Sequence, residues 1–225
     1  MIPVKKQKEP ADFAAKVTRK ALAFLARVPN PTKGDIDARP WWRNALDDLY
    51  KTYGEVCTYS GLWFQRDAVS VDHFTPIGAL WKDNPTAAYE WDNFRLASRS
   101  MNFEKGDYTD VVDPFTIKPF WFVIDFSSMN VKSGSDLSSE EKARVDATIK
   151  RLKLNDIKKR YITFRRKLIN EYCDKARKWK HTGQALEVLN EKAPFIAFEL
   201  KRQGLEKKIV KDLKSTGKTI KGSVA

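Results

Sequence analysis

Histidine and cysteine are both scarce in this chain, at two residues each out of 225. Cys57 and Cys173 stand far apart and form no CxxC pair, so the sequence offers neither a cysteine cage for structural zinc nor a disulfide framework. That usage points to a reducing compartment, the cytoplasm. No apolar run reaches the roughly 20 residues that a membrane span needs. The apolar stretch at residues 21–28 is short and broken by Arg27, a poor secretory signal. Internal repeats are lacking as well. Only His73 and His181 carry an imidazole, which narrows the search for a general base near neutral pH to two positions.

What the chain does have is 42% hydrophobic residues, enough to build a core over one domain or one and a half. The net charge of +13 is unevenly spread. Residues 1–56 carry +4, residues 57–137 carry −4 and residues 138–225 carry +13. A basic third of this size fits contact with a polyanion, while an acidic segment that is to accept a phosphate needs a cation in it.

The chain is read as three segments: an N-terminal helical scaffold (1–56), a central segment (57–137) and a basic helical region (138–225). In the first, residues 10–28 place Phe13, Val17, Ala21, Phe24 and Leu25 at helical spacing. Residues 40–53 do the same with Trp42, Ala45, Leu46, Leu49 and Tyr53 before Gly54. In the second, residues 68–71 alternate as a strand and lead into Asp72-His73. A loop through Pro76 and Pro85 follows, then a short strand at 93–97. Ser98 caps a short helix that ends at Gly106 and carries Arg99, Asn102 and Lys105 on one face. Residues 115–126 read as one or two further strands, with Pro119 at a turn or an edge. In the third, Ser138 and Glu141 form a capping box. A long helix at 156–180 has Ile157, Tyr161, Phe164, Leu168, Tyr172 and Trp179 on its apolar stripe, leaving Lys158, Lys159, Arg165 and Arg166 on basic flanks for phosphates. A last helix covers about 184–200, open to a break near Pro194, and the tail from Lys214 is expected to fray. The fold class is α+β, mainly helical.

Phosphodiester hydrolysis needs a deprotonated water, a neutralised phosphate and a stabilised leaving oxygen. A neutral imidazole supplies the first near pH 7, and a divalent metal the other two. The Asp72 carboxylate and the Asn102 amide oxygen are hard donors of the kind Mg²⁺ prefers, with Mn²⁺ also accepted. Consecutive strand residues face opposite sides. Asp72 and His73 therefore serve one centre only if the strand ends or twists there, or if the metal sits to one side of the base. A buried amide at Asn93 would hold the loop and orient the imidazole. Arg99 and Lys105, on the helix with Asn102, are candidates for phosphate contact.

The runs VDHF (71–74), YEWDNFRLAS (89–98) and MNFEKGD (101–107) resemble the HNH, or ββα-metal, endonuclease family. The resemblance implies a ββα-metal core set between the N-terminal helices and the basic C-terminal region. It implies Asp72 as a metal ligand, His73 as general base, Asn93 as the positioning member of the catalytic set and Asn102 as second ligand, where many members have His. Many members also brace the motif with two CxxC pairs. Here only Cys57 remains, with Ser60 where a partner would stand, so structural zinc is not expected and hydrophobic packing must replace it. The opening MIPVKKQKEPADF, DPFT (113–116) and WFVIDF (121–126) look like the small HNH proteins of bacterial anti-phage systems, the Septu-type and retron-linked nucleases. That likeness implies an ATPase subunit as partner. The expectation is a metal-dependent DNA endonuclease of anti-phage defence. A non-catalytic nucleic-acid- or partner-binding subunit of the same shape, and an RNA nuclease, stay open.

Overall fold

The chain is an α+β protein, mainly helical, in the computed structural model, which describes residues 1–158 and 161–215. Its strands are β1 (Val56–Cys57), β2 (Leu62–Trp63), β3 (Val69–His73), β4 (Phe94–Ser98), β5 (Phe122–Asp125) and β6 (Asn130–Ser133). Two bodies form: residues 3–59 with 64–116, and residues 1–2 and 60–63 with 117 onward. The N-terminal scaffold and the motif segment thus share one body, in place of the separate segments that charge suggested. No described helix is long and apolar enough to cross a membrane.

The first body contains α1 (Arg19–Arg27), α2 (Lys33–Asp37), α3 (Leu46–Thr52), α4 (Ile77–Leu80) and α5 (Arg99–Lys105). The helix expected over 10–28 begins as a π-helical turn, Ala14–Thr18, and that expected over 40–53 as a 3₁₀ turn, Trp41–Ala45. Both still bury their apolar stripes: Phe13, Val17 and Ala21 from one, Trp42, Ala45 and Leu49 from the other. These meet Val69, Val71, Phe94 and Leu96 of the β3–β4 pair in one core. β3 and β4 run antiparallel with Ser70 opposite Ala97, Asp72 opposite Arg95 and His73 opposite Phe94. Ser98 closes β4 and caps α5, its side chain accepting from Met101 N, and Gly106 stops the helix at φ +48°, a conformation that L side chains rarely adopt. The result is strand, strand and helix in close sequence. Arg95 locks this unit to the chain that follows. It is 3% exposed, grips Asp113 through Nε and Nη2 at 2.8 and 2.7 Å, and lies 3.7 Å over the Phe115 ring. The loop expected through Pro76 and Pro85 is α4 plus a 3₁₀ turn, Pro85–Tyr89.

The second body pairs β5 with β6, the latter unforeseen in the sequence, and adds α6 (Ser139–Arg151), α7 (Tyr161–Trp179), α8 (Thr182–Lys192), α9 (Pro194–Arg202) and α10 (Glu206–Ser215). The Ser138–Glu141 capping box is present, and Pro194 divides the last expected helix into α8 and α9. His181 caps the start of α8, its Nδ1 accepting from Gln184 N at 2.9 Å. Side chains complete both edges of the hairpin, which protects them from pairing with another chain. Ile124 N donates to Glu199 Oε2 and Ile124 O accepts from Gln203 Nε2, while Asn155 bonds both Val131 N and Val131 O. Gly134 is obligatory beside this hairpin, since a Cβ there would stand 2.1 Å from the Phe120 carbonyl oxygen. The tail expected to fray from Lys214 falls, beyond Ser215, outside the described residues.

The buried face of α7 differs from the one expected. Tyr161, Arg165, Leu168, Tyr172 and Ala176 are inside, whereas Phe164 and Trp179 are each 38% exposed and Ile157, ahead of the helix, is 76% exposed. Arg165 is a core residue: Nε donates to Met129 O at 2.7 Å and Nη2 to Leu154 O at 2.9 Å. Burial pushes its pKa down to about 10. Arg165→Met keeps the stem and removes the donors, leaving two buried carbonyls without their bonds. At roughly 1–3 kcal/mol for each unsatisfied group, we expect a loss of about 3 kcal/mol, read as a lower urea midpoint. A midpoint equal to wild type would return Arg165 to the surface.

Candidate active site

β3 ends at His73, so Asp72 and His73 are its last two residues. Asp72 and His73 both line one cavity of about 740 Å³ in the first body. Trp42, Arg43, Arg99 and Asn102 line it too.

His73 is held in one orientation by two rings and a backbone carbonyl. Its ring stands edge-on to Trp42 and Phe94, with centroids at 4.9 and 5.4 Å. Nε2 lies 2.9 Å from the Ala88 carbonyl oxygen. A carbonyl only accepts, so the proton sits on Nε2 and the lone pair on Nδ1. Burial lowers the imidazole pKa below its ordinary value, against the smaller opposing pull of the Ala88 bond and Asp72. The neutral form therefore prevails at pH 7.

Asn93 sits at the end of a 3₁₀ turn just before β4 and is buried. Its Oδ1 accepts from Thr75 N at 2.8 Å, and its Nδ2 donates to Thr75 O at 3.0 Å and Ala87 O at 3.1 Å. One amide thus clamps the segment that leaves β3 to the peptide preceding Ala88, whose carbonyl orients His73. Asn93 is thus linked to His73 through the backbone it holds and makes no direct bond to the ring among the described residues.

Asp72 is 2% exposed and lies among donors. Tyr59 donates its hydroxyl to Oδ2 at 2.5 Å, and Lys105 Nζ lies 3.1 Å from Oδ1. Burial, then the Asp72 charge, push the Tyr59 pKa well up, so the phenol keeps its proton. Lys105 also donates to His73 O at 2.6 Å. Asn102 donates through Nδ2 to Ser70 Oγ and to Val71 O, each at 3.0 Å. Those two bonds use both amide hydrogens and fix the amide orientation, leaving Oδ1 as the oxygen available to a ligand. Among the described residues, no three His, Cys, Asp or Glu side chains gather as a metal cage. The hard oxygen donors of the expected set, Asp72 and Asn102 Oδ1, belong to residues that line the same cavity. Each carboxylate oxygen keeps a second lone pair beyond its bond to Tyr59 or Lys105. Two hard oxygen donors with room for water suit Mg²⁺ or Mn²⁺.

Two of the residues expected to touch nucleic acid do not reach solvent. Lys105 is fully buried on Asp72, because it points inward with Met101 rather than outward with Arg99. Arg165 is buried as described above. Arg166 is half-buried, with Nη2 3.5 Å from Ser128 O. Lys158 and Arg99 are exposed, and Arg99 lines the cavity. Lys159 lies outside the described residues. Sequence reasoning missed Tyr59, Arg43 and the Ala88 carbonyl. The first two come from segments distant in sequence, and a backbone acceptor leaves no residue signature. No protein-family model, curated protein or solved structure matches this chain.

Proposed function

We propose that this chain is a metal-dependent endonuclease of the HNH, or ββα-metal, kind that hydrolyses phosphodiester bonds in DNA. The observation that carries the reading is the state of His73. An imidazole whose Nε2 proton is tied to a backbone carbonyl, and whose pKa burial lowers, keeps a lone pair on Nδ1, and His73 lines a cavity together with Asp72 and Asn102. In this reading Nδ1 takes the proton of the attacking water. Asn93 keeps the ring aimed by holding the loop. Asp72 and the Asn102 amide oxygen would hold Mg²⁺ or Mn²⁺, which when bound neutralises phosphate charge and stabilises the leaving oxygen. The likeness of the flanking runs to anti-phage nucleases places an ATPase partner and a role in defence within the same proposal.

One observation favours a second reading. Lys105 and Tyr59 already engage one lone pair on each Asp72 oxygen, an arrangement that also fits a non-catalytic nucleic-acid-binding subunit. Cleavage separates the two. Supercoiled plasmid, linear DNA and RNA should be incubated with the full chain in Mg²⁺, in Mn²⁺ and in EDTA. The expected result is nicking of plasmid in either metal and none in EDTA. Intact DNA in both metals would favour the binding subunit, and cutting confined to RNA would move the substrate class.

A further inference from the structure

Four cations line the cavity: Lys33, Arg43, Arg66 and Arg99. Two are neutralised in place. Lys33 Nζ lies 2.8 Å from Asp37 Oδ2, and Arg66 Nε lies 2.5 Å from Asp47 Oδ1. Arg43 and Arg99 are exposed and have no carboxylate partner among the described residues. Among the described residues Arg99 makes one weak contact, Nε to Val69 O at 3.5 Å, which leaves the rest of its fork unused there. On the acidic side, Asp37 is held by Lys33 and Asp72 by Lys105, leaving Asp107 as the remaining carboxylate of the lining. Before any metal binds, the uncompensated charge is two guanidinium groups against one carboxylate. Composition suggested the reverse, because it assigned −4 to residues 57–137. Arg43 comes from the preceding segment, and Lys105, itself outside the lining, neutralises Asp72.

We propose that Arg43 and Arg99 form a phosphate-binding site that captures a nucleic-acid backbone in this cavity without a divalent metal, so that substrate capture and metal binding are separate events. The proposal rests on the nuclease reading and deepens it. A guanidinium presents a fork of donors matched to phosphate oxygens. Arg43 sits on the 3₁₀ turn whose Trp42 braces His73, and Arg99 opens the helix that carries Asn102. A backbone phosphate held by either arginine therefore lies at the cavity that His73, Asp72 and Asn102 also line. A cavity of about 740 Å³ has room for a phosphodiester with its flanking sugars.

The test is fluorescence anisotropy of the full chain with a short labelled DNA duplex, and with its RNA counterpart, in EDTA over a range of salt. Wild type is expected to bind without metal. Arg43→Ala and Arg99→Ala should each lower the log–log salt slope by up to about 0.9, and together by about twice that. The joint Arg66→Ala, Asp47→Ala variant removes a neutral pair and should leave the slope unchanged. Binding that requires Mg²⁺, or a double-arginine variant with the wild-type slope, overturns the proposal. Whichever polymer shows the arginine-dependent slope is the source of the phosphate. The nuclease reading fails on a different result, the absence of cleavage by wild type in Mg²⁺ or Mn²⁺. Normal cleavage beside unchanged slopes removes the two arginines alone.

Discussion

Replacing His73 with alanine is expected to slow plasmid nicking by roughly 10²–10⁴-fold, the range that a positioned general base contributes. DNA affinity measured in EDTA should stay at its wild-type value, since the spare cations of the cavity are untouched. Two companion results separate a lost base from a disturbed fold. The alanine variant leaves a ring-sized gap between Trp42 and Phe94. Added imidazole should enter that gap and restore part of the rate. His73→Gln fills the gap with a side chain that cannot take the proton, so it should be equally slow and beyond rescue. The pH profile gives a third readout. The working form is the neutral ring, and burial favours that form by lowering the pKa. Activity should therefore be flat across pH 7–8 and fall only as pH drops through a value below the ordinary imidazole value of about 6.5. Undiminished nicking by either variant would end the assignment of His73 as base.

That residue was legible because its surroundings in the chain are local and strongly marked. A β-branched alternating run stops at Asp72-His73, Ser98 supplies a helix cap, and Gly106 supplies a stop. Each signal lies within a few residues of the element it specifies, so the order strand, strand, helix could be read directly. The hydrogen bond that fixes the proton on Nε2 of His73 could not. Ala88 contributes through its carbonyl, and nothing about an alanine announces this. Tyr59 and Arg43 reach the site only through tertiary packing.

The two buried cations show a different failure, one of chemical habit rather than missing information. A helix advances about 100° per residue, so Arg165 lies within about 40° of Tyr161 on the helical wheel, whereas Phe164 lies about 60° away. The helical period places Arg165 beside Leu168 and Tyr172, although its residue type favours the surface. On α5 each three-residue step drifts by about 60°, so Lys105 ends about 120° from Arg99 and lies near Met101 instead. Both side chains have enough stem and enough donors to be core residues when carbonyls or a carboxylate meet them, as Met129, Leu154 and Asp72 do.

Lys105→Met should then be among the most destabilising substitutions in the first body. It leaves the Asp72 carboxylate buried with only the Tyr59 hydroxyl for company, and breaking a buried ion pair from one side costs about 3–5 kcal/mol. Urea denaturation should show a lower midpoint at an unchanged slope. Asp72→Asn in the same chain removes the stranded charge, so the double variant should regain a large part of the loss, a coupling that a surface lysine would not show. The same experiment bears on the metal. With Lys105 gone, Asp72 lacks its resident cation, and a divalent ion bound to the folded state stabilises it by mass action. Mg²⁺ should therefore raise the melting temperature of Lys105→Met by more than that of wild type, and should raise that of the double variant less. A Lys105→Met protein with wild-type stability would contradict the buried pair. One that is destabilised as expected but indifferent to Mg²⁺ and Mn²⁺ would remove Asp72 from the ligand set and leave His73 and the two arginines to be judged by their own tests.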